Sequence, residues 1–236
     1  MRDIIGVITF PGSNGDHDAL HALVDDVGVP ARLVDYRETD LSPYAALILP
    51  GGFSYGDYLR CGAIARFAPV IEPLRDYAER GGPVLGICNG FQILTEAHLL
   101  PGALLRNKTL RFHCHWTPLR IEQTDTLWTR EFIPGEVIRL PVAHGDGSYY
   151  ADPETLERLE ATGRVVARYC TPDGAITDEA NPNGSLRAIA GIANERGNVV
   201  GLMPHPERAT NELIGGNDGL RILRSVLAFL PVGAGR

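Results

Sequence analysis

The stretch VLGICNGFQIL, residues 84–94, decides the fold. Apolar residues run up to Cys88 and resume directly after Gly90, which predicts a buried strand that turns at once into a helix. A sharp turn of this kind exposes the residue at its apex and requires small neighbours, which Gly86 and Gly90 supply. The stretch therefore predicts an α/β protein with a nucleophile elbow at Cys88.

A cysteine at such a turn has two interpretations. A helix that begins near Asn89 directs free backbone N–H groups and the positive end of its dipole towards Cys88, and both favour the thiolate. Cys88 would then be an activated nucleophile. The alternative is a small buried apolar residue, as most cysteines in such cores are. The GxCxG pattern alone does not decide between them, so other residues must.

Outside this turn, strands alternate with helical patterns. Strand-like composition covers residues 4–10, 31–37 and 45–52, and helical spacing covers 16–28, 63–82, 90–100 and 219–230. From about residue 109, alternating patterns predict β-ribbons and strands that extend the sheet in the C-terminal half. With no internal repeat or linker, we expect a single domain over residues 1–236. Its predicted architecture is a three-layer α/β sandwich with a mainly parallel central sheet.

Composition narrows the class of partner. A net charge of -7 argues against a general nucleic-acid or acidic-membrane surface, because phosphate binding depends on clustered lysine and arginine. No apolar run reaches membrane-spanning length. The four cysteines are widely spaced without a CxxC pair, which favours a reducing, cytoplasmic compartment. We therefore expect small molecules or proteins as partners, with neither nucleic acid nor membrane among them.

Two further loops carry groups that a cysteine nucleophile needs. A thiolate that attacks an amide needs a proton donor for the departing nitrogen, commonly an imidazole held by an acid. His205 has Glu207 two residues later, on the same side of an extended segment. Gly51 and Gly52 follow the third strand and can bring backbone N–H groups close to a ligand, as an oxyanion hole requires. Taken singly, HPE is more often a capped turn and PGG only a glycine-rich loop.

Three other residues or motifs leave alternatives open. His144 rivals His205 as the base, because Asp146 has the same offset from it. The HCH triplet at residues 113–115 suggests a metal site, but strand alternation sends its cysteine to the opposite face, so ordinary strand residues and no metal are expected. Cys61 could line the pocket or a partner interface, although simple packing is the commoner outcome.

Taken together, the three loops resemble those of the class I (triad) glutamine amidotransferases in order and spacing. The motifs are PGG at residues 50–52, GICNGFQ at 86–92 and PHPE at 204–207. Within the class, PGGFSYGD, GICNGFQ, PVAHGDG and MPHPER are most similar to the glutaminase subunits of phosphoribosylformylglycinamidine synthase, an enzyme of purine synthesis. Asp146 stands where we expect glutamate in that family.

The resemblance implies catalytic roles residue by residue. Cys88 would be the nucleophile, His205 the base and acid, and Glu207 the residue that orients His205. The backbone N–H groups of Gly52 and Asn89 would bind the tetrahedral oxyanion.

Substrate contacts are implied in the same way. Gln92, one helical turn after the nucleophile, would help to hold glutamine, with Gly51 beside it. The loop from His144 to Gly147, including Gly145, would lie next to the substrate.

The implied reaction is hydrolysis of glutamine through a cysteine thioester, which releases glutamate and ammonia. No metal or organic cofactor is implied for this subunit. The ammonia would pass to a separate synthetase subunit that uses ATP, with Mg expected there, to convert formylglycinamide ribonucleotide to formylglycinamidine ribonucleotide. A small third protein would bridge the two.

Three alternatives remain at this point. The same loops occur in glutaminases for pyridoxal phosphate, histidine, GMP or carbamoyl phosphate synthesis. A non-catalytic binding module could keep the fold without turnover. A cysteine peptidase or hydrolase on a similar sheet would act on peptides and need no synthetase.

Overall fold

A nine-stranded sheet organises residues 4–229, which are the residues that this computed structural model describes. Two short strands, β5 and β8, form a separate antiparallel pair. The strands in chain order are β1 (Ile4–Thr9), β2 (Ala31–Asp35), β3 (Tyr44–Leu49), β4 (Val84–Ile87), β5 (Ala103–Leu105), β6 (His113–Ile121), β7 (Val137–His144), β8 (Ser148–Tyr150), β9 (Val165–Tyr169), β10 (Ile189–Ala193) and β11 (Val199–Leu202).

The sheet has a parallel half and an antiparallel half. Its order is β2-β1-β3-β4-β11-β10-β9-β6-β7. The first five strands in that order are parallel, and the remaining neighbours pair antiparallel. Strand β4 lies inside the sheet between β3 and β11, and its four residues are all buried, as a continuous apolar run between two parallel neighbours predicts. The predicted α/β sheet with β-ribbons added by the C-terminal half is therefore confirmed.

Helices cover both faces of this sheet. They are α1 (Asp16–His21), α2 (Ile71–Glu79), α3 (Asn89–Glu96), α4 (Pro153–Ala161) and α5 (Asp218–Ser225). A π-helical turn, Ala22–Val27, continues α1 and ends at Gly28, whose φ of 79° is a left-handed conformation that favours glycine. Every residue of α3 is buried, because this helix packs between the sheet and the loops that carry the site.

The turn from β4 to α3 is as tight as the sequence predicts. Cys88 has φ 50° and ψ -105°, a conformation that costs an L-residue on the order of 1–3 kcal/mol and must be held by its surroundings. A Cβ on Gly86 would lie 2.5 Å from Leu94 Cδ1, and a Cβ on Gly90 would lie 2.0 Å from the Leu49 carbonyl oxygen. Both glycines are therefore required by close approach of helix and sheet.

Gly90→Ala tests this packing. We expect it to lower the free energy of unfolding by about 2 to 3 kcal/mol, because its Cβ meets backbone that can move only with the central sheet. The matched control is Gly216→Ala, whose Cβ would meet the Trp116 ring at an ordinary 3.4 Å, with an expected change below about 0.5 kcal/mol. Urea unfolding measures both, and equal stability of the two variants would contradict the packing argument.

Several predicted helix boundaries are wrong. The helical pattern over 63–82, in which Pro69 and Pro73 indicate a break or kink, is a 3-10 turn, Ala65–Phe67, followed by α2. Pro69 explains the break, because it holds Ala68 in extended backbone, with φ -65° and ψ 145°, whereas Pro73 is accommodated within the first turn of α2. The helix predicted over 90–100 begins one residue earlier and ends at Glu96.

The remaining boundaries concern the C-terminal half. The helix predicted over 219–230 is α5 followed by a 3-10 turn, Val226–Phe229, and Leu230 lies outside the described residues. The predicted domain, 1–236, likewise includes residues 1–3 and 230–236, outside that range. Helix α4 was missed, although Asp152 caps it by accepting a hydrogen bond from the Thr155 N–H at 2.9 Å. Between residues 4 and 229, no helix is both long and apolar enough to cross a membrane.

Candidate active site

Cys88 lies at the carboxyl end of β4 and the N-terminus of α3, at the edge where loops of the parallel strands meet. Its side chain is nearly buried, with 5% of the residue exposed. The Sγ atom lies 3.7 Å from the Ala143 carbonyl oxygen at the end of β7. The elbow of the parallel half of the sheet thus meets the end of β7 in the antiparallel half.

A pocket of about 170 Å³ opens at Cys88. Its walls come from the loop that follows β3, the first turn of α3, Phe112 and residues 143–146. Four of the residues assigned to the site from the sequence, besides Cys88, line this pocket: Gly52, Gln92, His144 and Gly145. The structure therefore brings the loops after β3, β4 and β7 together around one sulfur atom.

His205 and Glu207 form a buried pair beside this cysteine. His205 Nδ1 lies 2.7 Å from Glu207 Oε1, and the two side chains are 2% and 0% exposed. Burial alone would lower the pKa of His205, but the negative charges of Glu207 and Cys88 outweigh it and raise the pKa to about 10. A histidine whose protonated form is favoured in this way can keep a proton ready for a leaving group.

Glu207→Gln tests the electrostatic role of the carboxylate. We expect the pKa of His205 to fall by roughly 1 to 3 units, because the opposite charge that favours the protonated ring is removed. NMR titration of the His205 imidazole measures this shift.

Glu207→Gln also alters how the free energy of unfolding depends on pH. A folded pKa of about 10 against the ordinary 6.5 means that the ion pair stabilises the fold fully below pH 6.5 and less as pH rises through about 10. In Glu207→Gln, the stabilisation that comes from the protonated His205 should be lost at a lower pH than in the wild-type chain. An unchanged His205 titration in the variant would contradict the assignment.

Gly51 lies against the imidazole of His205. A Cβ at this position would lie 2.8 Å from His205 Cε1 and 3.6 Å from Cys88 Cβ. A side chain here would therefore displace the imidazole from the sulfur. Glycine at position 51 therefore leaves room for the imidazole of His205, a requirement that sequence analysis did not predict.

Gly52 has a φ of 143°, which side chains rarely adopt. It forms an isolated antiparallel bridge with Ser13. The hydrogen bonds of this bridge come from the flanking residues, so the N–H of Gly52 points away from the loop of residues 11–15. Gly52 also lines the pocket, and the binding of the oxyanion by its N–H stays a prediction.

Asn89 and Gln92 form a network at the start of α3. Asn89 Oδ1 accepts from the Ser54 N–H at 3.1 Å, and Asn89 Nδ2 donates to Gln92 Oε1 at 2.8 Å. Gln92 Nε2 donates to the Asp146 carbonyl oxygen at 2.6 Å. The amide of Gln92 thus ties the loop after β7 to α3. Its predicted contact with substrate is not tested by this arrangement.

His144 has different partners from His205. Its Nδ1 lies 3.2 Å from Asn107 Oδ1, and burial, followed by the charge of His205, lowers the pKa of His144 to about 3. Asp146, the acid that made His144 a rival base, instead accepts a hydrogen bond from the Cys61 thiol at 3.5 Å. The geometry therefore pairs a carboxylate with His205 and an amide with His144.

Asn107 was missed by sequence reasoning. It is fully buried, and its Nδ2 donates to the carbonyl oxygens of His144 at 2.9 Å and Arg111 at 2.8 Å. Its Oδ1 accepts from the Gly147 N–H at 2.9 Å. Asn107 therefore fixes the loop of residues 144–147 from behind. An asparagine between a short strand and polar residues gives no local signal of this role.

The two secondary cysteine motifs have distinct outcomes. Cys61 lines the pocket, as one alternative proposed, and burial, then the charges of Asp57 and Asp146, raise the pKa of its thiol. The HCH residues are in β6 as predicted, with the rings of His113 and His115 5.7 Å apart. Among residues 4–229, no three metal-binding side chains come together, and the absence of a metal stays a prediction.

Comparison with known proteins shows the family of this chain. Residues 3–215 match the family model of the CobB/CobQ-like glutamine amidotransferase domain. Phosphoribosylformylglycinamidine synthase subunit PurQ of Thermomicrobium roseum is 63% identical over 94% of both chains. PurQ of Rubrobacter xylanophilus is 58% identical over 97% of this chain and 99% of that protein.

Solved structures point the same way. The structure of PurLQS from Thermotoga maritima contains a chain with a TM-score of 0.86 and 46% identity, over 98% of this chain and 100% of that one. A putative GMP synthase subunit from Thermoplasma acidophilum has a TM-score of 0.64 at 15% identity, covering 98% of this chain and 95% of that one, which supports the fold alone. The chain therefore belongs to the glutamine amidotransferase family of the CobB/CobQ-like type, in the group that contains the PurQ subunits.

Proposed function

We propose that this chain hydrolyses glutamine to glutamate and ammonia, as the glutaminase subunit of a phosphoribosylformylglycinamidine synthase. The observation that carries the proposal is the strained elbow at Cys88 beside the buried His205–Glu207 pair. A small buried apolar cysteine would need neither a left-handed backbone nor an ion pair beside it. The PurQ relatives, at up to 63% identity over nearly the whole chain, support the choice of pathway.

The first half of the reaction forms a thioester. The Cys88 thiolate attacks the side-chain amide carbon of glutamine, and the carbonyl oxygen becomes an oxyanion that the N–H groups of Gly52 and Asn89 stabilise. His205 then gives its proton to the nitrogen as the carbon–nitrogen bond breaks. Ammonia leaves and a γ-glutamyl thioester remains on the cysteine.

The second half releases glutamate. Water attacks the thioester carbon while His205, now neutral, accepts a proton from it. The carbon–sulfur bond breaks, the thiolate returns, and the imidazolium again stands beside it. Glu207 keeps the ring oriented and stabilises its charge in both halves. These steps need no metal or organic cofactor in this subunit, and we expect ATP and Mg on the synthetase partner.

The ammonia needs a protected route to its acceptor. The mouth of the Cys88 pocket carries exposed aromatic side chains from Phe53 and Phe112, and Tyr58 and Leu59 are exposed nearby in sequence. Such a rim suits burial against another protein. With the PurLQS neighbour, it supports delivery to a synthetase that converts formylglycinamide ribonucleotide to formylglycinamidine ribonucleotide, with a small bridging subunit.

We place this complex in the cytoplasm, without nucleic-acid or membrane partners. The net charge of -7 and the absence of a membrane-crossing helix among residues 4–229 are consistent with that proposal.

The decisive experiment exposes the purified chain to 6-diazo-5-oxo-L-norleucine, an electrophilic glutamine analogue, with and without excess glutamine. Peptide-resolved mass spectrometry then locates the label. We expect modification of Cys88 that glutamine prevents, whereas Cys61, whose pKa is raised, should react far more slowly. Absence of Cys88 labelling both alone and with the synthetase and ATP would overturn the proposed function.

A further inference from the structure

A cavity of about 480 Å³ lies at the edge of the sheet opposite to Cys88. The turn of residues 194–196 lines it and precedes β11, whose start pairs with the start of β4, whereas Cys88 follows the end of β4. Four arginines from separate segments line this arginine cavity: Arg75, Arg158, Arg164 and Arg196. Because the whole chain carries a net charge of -7, so much positive charge around one cavity runs against the overall balance.

Arg164 is buried without a full set of hydrogen bonds. Its side chain is 9% exposed, and its nearest carboxylate, 3.7 Å away, belongs to Glu195, whose side chain is 82% exposed. Its Nε donates to Thr162 Oγ1 at 3.0 Å, whereas its two Nη atoms have no hydrogen-bond partner among residues 4–229. Both Nη atoms keep contact with solvent. A guanidinium that has lost most of its hydration and keeps free donors at a cavity wall favours an anionic ligand.

The other three arginines also keep donors available. Arg75 and Arg196 each donate one N–H to a carbonyl oxygen at the end of a helix, α3 and α2 respectively. Arg158 has only a weak contact, from Nη2 to Thr155 Oγ1 at 3.5 Å. Within the described part of the chain, no carboxylate lies at ion-pair distance from Arg158 or Arg196. Helix capping therefore explains two of the arginines and leaves Arg158 and Arg164 without a structural role.

The lining of the arginine cavity favours a phosphate group over a carboxylate. A carboxylate has one charge and two oxygens in a plane, which a single guanidinium fork satisfies. A phosphate has up to two charges and three oxygens directed apart, which guanidinium groups from several segments satisfy together. Leu99, Leu100 and Pro101 add an apolar part to the lining, and the volume is in the range of small-molecule sites. The cavity can therefore hold an organic group besides the phosphate.

We propose that the arginine cavity binds a phosphate group, free or carried by a small organic molecule, through the guanidinium groups of Arg158 and Arg164. The cavity shares no lining residue with the pocket at Cys88, so the inference does not depend on the proposed glutaminase function. Glu79 also lines the cavity, and its negative charge opposes the anion. Removal of that charge should therefore act in the opposite direction to removal of an arginine.

Isothermal titration calorimetry of the purified full chain tests the proposal with three probes: inorganic phosphate, ribose 5-phosphate and citrate. The buffer contains about 150 mM sodium chloride, which screens weak attraction between exposed charges. We expect one saturable site for a phosphate probe, with a Kd below about 1 mM, and binding of citrate at least about tenfold weaker. Tighter binding of ribose 5-phosphate than of inorganic phosphate would identify a phosphate ester as the ligand, and the reverse order the free ion.

Three variants test the residues. Arg158→Gln should weaken binding of the phosphate probe by about tenfold or more, as expected when a hydrogen bond to a charged group is lost. Glu79→Gln should strengthen it roughly twofold to fivefold, because a repelling charge is removed. Arg66→Gln, which removes an exposed arginine outside the cavity, is the matched control and should bind like the wild-type chain. Arg158 and Glu79 are both exposed, so these variants should fold, and thermal unfolding checks this.

The inference is overturned if neither phosphate probe binds the wild-type chain saturably, or if citrate binds as tightly as they do. Equal affinities of Arg158→Gln and Arg66→Gln would also overturn it. Labelling of Cys88 by 6-diazo-5-oxo-L-norleucine is measured on the same proteins and should be unchanged in all three variants. A wild-type chain that binds phosphate without such labelling, even with the synthetase and ATP, would count against the glutaminase function alone.

Discussion

Replacing Cys88 by alanine is expected to reduce glutamine hydrolysis by about 10⁴-fold or more, because no thioester can form. The fold should persist, since the nearly buried side chain is small. The φ of 50° strains alanine and cysteine equally at this position. Cys114→Ala is the matched control, because Cys114 is exposed on β6 outside the pocket. Steady-state release of glutamate, in the presence of the synthetase, measures both variants.

A second readout separates chemistry from assembly. If Cys88→Ala removes only the nucleophile, the complex should still form its product when ammonium salt replaces glutamine, because the synthetase then needs no thioester. Thermal unfolding of the free variant checks that it remains folded. Glutamine hydrolysis at more than about a hundredth of the wild-type rate would contradict the role of Cys88.

The elbow could be predicted because its determinants are local. Cys88 is flanked by the two glycines that close approach demands, and the apolar run before it is the fully buried strand β4. Gly28 as a helix stop is local in the same sense, since a left-handed residue favours glycine wherever it occurs. Patterns of this kind survive any tertiary context, so the sequence is sufficient for them.

The supports of the site could not be predicted, because they join segments distant in the sequence. Asn107 reaches His144 and Gly147, 37 and 40 residues away, and nothing in its neighbourhood announces a buried hydrogen-bonding centre. The role of Gln92 in holding substrate stays a prediction, but the bond from its amide to the Asp146 carbonyl oxygen, 54 residues away, has no signal in the nearby sequence. The choice between two histidine–acid pairs with equal spacing likewise depends on where the loops fold.

Separate asparagine variants of the two histidines test which of them acts as acid and base. In His205→Asn, we expect thioester formation to slow by about 10³-fold or more, because the group that protonates the departing nitrogen is gone. In His144→Asn, we expect a loss of about tenfold or less, mainly as a higher KM, because this ring is neutral and bonded to an amide rather than to a carboxylate.

The physical basis is the difference in charge between the two rings. His205 lies 2.7 Å from Glu207 and has its pKa raised to about 10, so at neutral pH it carries the proton that ammonia needs. His144 has its pKa lowered to about 3 and carries no proton to give beyond the Nδ1–H held by Asn107. Single-turnover labelling with glutamine measures thioester formation directly. Loss of the thioester only in His144→Asn would reverse the assignment, whereas loss only in His205→Asn places the acid and base on the Glu207 pair.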